Sequence, residues 1–149
     1  MVSRRPNVYP TVLWSLIFLF FLRVLGQALV AAFHVGFLPP MEEWHSGLIP
    51  YPILLPVQIL IIVLLASVSV DFTRGRGFFV VPRRRTGRFL EWLGCLYFAG
   101  MAVRYVVSMA LHPERRWFGG TIPIFFHFVL ATFVLVVGRY HTRTSTPLP

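Results

Sequence analysis

The sequence predicts an all-α integral membrane protein: a four-helix transmembrane bundle with both termini in the cytoplasm. Three observations carry this. More than half of the 149 residues are apolar, and the charged fraction is 13%, about half that of an average soluble domain. Four apolar stretches each approach the ~20 residues needed to span a hydrocarbon core. The basic residues, all of them arginine, cluster in the connections that share one side.

The first stretch runs from Val12 to Val35. Arg4 and Arg5 precede it, as in a secretory signal. It is too long for a signal core, and Arg23 interrupts it, so a retained helix is expected. Gly36, Pro39 and Pro40 end it. The second stretch runs from Ile53 to Val70, opened by Pro50 and Pro52. The third runs from Phe89 to Leu111, and the fourth from Thr121 to Gly138. Unpaired backbone amides are not tolerated in lipid, so each should be a helix. No stretch shows the alternation that a membrane strand requires. Pro56 and Pro123 are expected in first turns, where a missing amide costs least. The whole chain reads as one transmembrane domain with no internal repeat.

Orientation follows from charge. The loop over 71–88 holds six arginines, from Arg74 to Arg88. Both ends of the chain carry more. The first outer connection holds Glu42 and Glu43 and no arginine. The positive-inside rule then places the termini and the middle loop in the cytoplasm of a bacterial-type inner membrane. Trp44, Tyr51 and Trp117 fall at the outer interface and Trp14, Trp92 and Tyr140 at the inner one, as an aromatic belt. This topology accounts for the formal charge of +9 without nucleic acid as a partner.

Short loops imply antiparallel neighbours. Small residues that permit close approach lie at Gly26, Ala28, Ala31 and Ala32 on the first helix and at Gly94, Ala99 and Gly100 on the third. Cys95 is the sole cysteine, which excludes an internal disulfide and reads as a small helix residue.

The candidate site lies inside the membrane. Arg23 sits ~16 Å from either end of its stretch by helix rise. Gln27 and His34 share its face. Arg104 occupies the third helix, with Tyr97 and Ser108 on the same face. Gln58 and His127 are the strongly polar interior residues of the second and fourth. By helix rise, Gln27, Gln58, Arg104 and His127 fall within roughly 6 Å of the midplane, on its outer side. Two arginines thus share a slab with no carboxylate. A charge at such depth costs on the order of 3 kcal/mol, and burial demands a partner. The planar guanidinium suits anions with two oxygens.

The function expected is binding. Arg23, Gln27, Gln58, Arg104, Ser108 and His127 would hold an anionic lipid, isoprenoid or cofactor group, or an acidic helix of another membrane subunit. The opposing view satisfies each arginine internally, through carbonyls, glutamines and water. An alternative is a small enzyme on an anionic lipid, with His127 as general acid or base. A third is a metal or haem protein at the outer face, drawing on His34, His45 and His112. His34 and His127 differ in depth by roughly 15 Å, which disfavours a haem between them, and no close histidine spacing supports a metal. No phosphate loop, nucleophile elbow or zinc-protease motif is present. No carboxylate lies mid-membrane, unlike the usual proton-coupled carrier. The sequence names neither a cofactor nor a reaction.

Overall fold

The computed structural model describes residues 8–44, 49–111 and 121–144. These residues hold five helices and no strand. The helices are α1 (Val8–Phe33), α2 (Met41–Trp44), α3 (Tyr51–Arg74), α4 (Arg84–Leu111) and α5 (Thr121–Thr144). All but α2 are long and apolar enough to cross a membrane.

The four long helices coincide with the four apolar stretches and run further at the arginine-rich end. There α1 starts at Val8 rather than Val12, and α3 ends at Arg74 rather than Val70. Likewise α4 starts at Arg84 rather than Phe89, and α5 ends at Thr144 rather than Gly138. Hydropathy locates only the apolar part of a helix. The hydrogen-bond ladder continues into polar sequence at no penalty where water is available. The basic connection therefore shrinks from 71–88 to 75–83. Gly75 ends α3 in the left-handed conformation (φ 63°), a common helix stop that glycine adopts without strain. Asp71 Oδ2 then accepts from the Phe79 amide at 3.2 Å, and Tyr140 donates to the Val80 carbonyl at 3.0 Å. Both bonds fold the connection back onto the helices.

Two local expectations are corrected. The first helix stops at Phe33, not Val35, because His34 takes a positive φ of 48° that no helix propagates. Pro56 lies past the first turn of α3, so its missing amide leaves the Pro52 carbonyl without its helical donor.

The long helices do not surround one common core. They pack in the order α3, α1, α5, α4, and among the described helices α4 packs on α5 alone. The buried core belongs to α1, α3 and α5. Leu13, Ile17, Val68, Phe72, Phe133 and Val137 form its half at the arginine-rich end. Phe20, Val24 and Val129 form the other half. Tyr140 joins the halves of an aromatic cluster there, with ring centroids 4.6 Å from Phe72 and 5.3 Å from Tyr9.

Glycines set the α4–α5 contact. A Cβ at Gly94 would fall 2.7 Å from Leu135 Cγ, and one at Gly138 would fall 2.8 Å from the Glu91 amide. Bare backbones let the two helices approach this closely. The other expected small-residue faces behave differently. Gly100 meets nothing, and Gly26 meets the Trp44 ring rather than another long helix. Beyond Gly94, Ala99 and Gly100 are exposed, because α4 packs on no second helix among the described residues.

Candidate functional site

Arg23 is 8% exposed, despite its charge, because α2 folds back to meet it. Arg23 Nη2 donates to the Trp44 carbonyl at 2.8 Å. Trp44 is the last described residue of α2. Trp44 is fixed in turn by its indole N–H, which donates to the Pro39 carbonyl at 2.8 Å. The indole lies against Gly26, where any Cβ would fall 2.6 Å from its Cη2. The expectation that Trp44 anchors at an interface is thus corrected: it is buried, and its segment re-enters the fold between α1 and α5. The prolines at 39, 40, 50 and 52 bracket this segment in the sequence. The Phe126 ring lies below the guanidinium at 5.8 Å from Cζ. Arg23 Nε remains buried without a hydrogen-bond partner.

Gln27 and Gln58 meet each other. Gln58 Nε2 donates to Gln27 Oε1 at 3.0 Å, and both side chains are buried. Each amide has one group left over, Gln27 Nε2 and Gln58 Oε1. The pair ties α1 to α3. One turn further, Ala28, Ala31, Ala32, Tyr51 and Leu55 line an open groove of about 320 Å³ on the same seam.

His127 meets Tyr97. Its Nδ1 and the Tyr97 hydroxyl are in hydrogen-bond contact, with rings edge to face at 5.8 Å. The imidazole tautomer decides which donates. This pair ties α5 to α4.

Arg104 is the exception. The expectation that it faces the bundle is not met, because its side chain is exposed. Antiparallel register explains this. Phe98 stacks on Phe128 and Gly94 meets Leu135, so Arg104 comes level with the first turn of α5. It lies beside the start of α5, the one described helix on which α4 packs. Arg104 makes no hydrogen bond or ion pair with any described residue. Ser108, one turn on, is half-buried.

The slab therefore resolves into separate contacts rather than one pocket. Gln27 joins Gln58, His127 joins Tyr97, and Arg23 joins Trp44. Arg23 and Arg104 sit on helices that do not pack together. Tyr97 was noticed in the sequence as a companion of Arg104 and is in fact the partner of His127. Among the histidines of the outer-face metal alternative, His34 is exposed, while His45 and His112 lie outside the described residues. Among the described residues no group of three or more His, Cys, Asp or Glu side chains is arranged to hold a metal ion.

Comparison with family models, with curated proteins and with solved structures finds no match for this chain.

Proposed function

We propose that the chain is a non-catalytic, multi-pass protein of a bacterial-type inner membrane, with both ends cytoplasmic, that holds an anionic group against Arg104. In this reading it serves as a binding or accessory subunit. One observation carries it: Arg104 is exposed within an apolar helix and has no hydrogen-bond or ion-pair partner among the described residues, while Arg23, Gln27, Gln58 and His127 have partners inside the fold. Those partners tie α1 to α3, α1 to α2 and α4 to α5. Arg23, Gln27, Gln58 and His127 thereby act chiefly as clamps. Arg104, with Ser108 beside it, is the charged side chain with no hydrogen bond to another described residue. An unpaired charge in hydrocarbon is disfavoured by on the order of 3 kcal/mol, and an anion in the same layer offsets that.

Native mass spectrometry of the protein, extracted with its lipids and neighbours, tests the reading. The wild type should retain an anionic lipid, an anionic cofactor or an acidic protein. The Arg104→Gln variant should lose it. Retention of the same species by both proteins, or by neither, refutes the proposal.

One contact favours a second reading, an enzyme acting on an anionic lipid. His127 and Tyr97 form a hydrogen-bonded pair of the kind a general acid or base can use. Incubation with native lipid extract should then yield a product that His127→Ala does not form, although that variant folds. Unchanged turnover would remove His127 from any mechanism.

A further inference from the structure

The geometry points to a transmembrane helix of a different protein, carrying one carboxylate, as the occupant of the free face of α4. This rests on the reading of Arg104 as an anion receptor and names the anion's source.

The face is a built stripe. Leu93, Leu96, Gly100, Arg104, Val107 and Leu111 recur at intervals of three or four residues, which places them along one side of α4. All are exposed, and α4 packs on α5 alone, so no described helix covers them. Gly100 forms a notch in the middle, with open space where a Cβ would stand. A second helix can approach closely there, one turn from the arginine. Three- and four-residue spacing is the pattern by which paired helices interlock.

Depth selects a protein carboxylate over a lipid phosphate. Arg104 lies four residues from the centre of the apolar stretch 89–111, about 6 Å by helix rise. The half-thickness of a hydrocarbon core is about 15 Å. The remaining distance, about 9 Å to the headgroup layer, is more than one arginine side chain extends. A carboxylate on a packed helix meets the guanidinium where it stands, with two oxygens matched to its fork.

Charge selects a different protein over a second copy. Two copies in the same orientation would bring Arg104 against Arg104. The sole carboxylate on α4 is Glu91, thirteen residues and about 20 Å away along the helix. It already accepts from Thr142 at 3.0 Å.

Photo-crosslinking in the native membrane tests this, with a benzophenone amino acid in place of Val107. The expected result is one protein adduct, identified by mass spectrometry, whose linked peptide is an apolar helix bearing Asp or Glu at the depth of Arg104. Arg104→Gln should abolish the adduct. Gly100→Leu should abolish it as well by filling the notch. Neither change touches a packed residue, so neither variant should melt below the wild type. Restoring the adduct by pairing Arg104→Asp with an arginine in place of the partner's carboxylate completes the support. An adduct with a second copy, or a protein adduct indifferent to Arg104→Gln, overturns the inference. Lipid adducts alone also overturn it. In that case Arg104-dependent retention of lipid in the native mass spectrum would leave the anion-receptor reading standing. Loss of both signals would end both.

Discussion

Replacing Gly138 by alanine should weaken the attachment of α4, and replacing Gly100 should not. At Gly138 the new Cβ falls 2.8 Å from the Glu91 amide nitrogen, 3.0 Å from Glu91 Cγ and 3.1 Å from the Gly87 carbonyl oxygen. Two of the three atoms are backbone and cannot rotate aside. Ordinary contact begins near 3.4 Å, so the helices must separate by several tenths of an ångström. Overpacking of this kind costs about 1–3 kcal/mol. At Gly100 nothing lies within 4 Å of the new atom. Both changes gain about 0.8–1 kcal/mol of helix propensity, and this gain cancels in the difference between them. Gly100→Ala should therefore be the more stable by about 1–3 kcal/mol. The consequence is large because α4 packs on no other described helix. Reversible unfolding in mixed micelles, followed by circular dichroism, measures the difference. Equal stability of the two variants would refute the argument that close glycine contact holds α4 in place.

Three further outcomes follow from the same contacts. Gln27→Leu or Gln58→Leu alone should cost about 1–3 kcal/mol by stranding a buried amide, and the double variant should cost less than their sum. Additive losses in the same unfolding assay would deny the pair. Gly26→Leu should expel the Trp44 ring, since even a Cβ lies 2.6 Å from it. In a protein whose other tryptophans are phenylalanine, the emission should shift to the red, and an unshifted spectrum would contradict the packing. Tyr97→Phe should destabilise by about 0.5–1.5 kcal/mol through loss of one hydrogen bond, and not at all in a His127→Ala background.

The candidate site was half legible in the sequence. Arg23, Gln27, Gln58, Arg104 and His127 stood out because a polar residue in an apolar run is conspicuous wherever it points. Their partners were not legible. Trp44 looked like an interface anchor because tryptophan is common there. Only the re-entry of α2 brings its carbonyl to Arg23. Arg104 and Arg23 looked equivalent, and packing separates them: α2 and Phe126 enclose one, and the end of α5 leaves the other exposed.

By itself the sequence determined the helical class, the number and rough limits of the candidate spans and the gathering of arginine at one end. These properties are local. A backbone that must satisfy its own hydrogen bonds over ~20 apolar residues has one economical solution, and charge is read residue by residue. Only the tertiary structure decided the order α3, α1, α5, α4, the folding back of α2 and the pairing of each polar group. Apolar residues surround every one of these helices, so no amphipathic stripe tells which face turns inward. That choice rests on close contacts such as Gly94 with Leu135 and Gly138 with Glu91, which exist only when two particular surfaces meet.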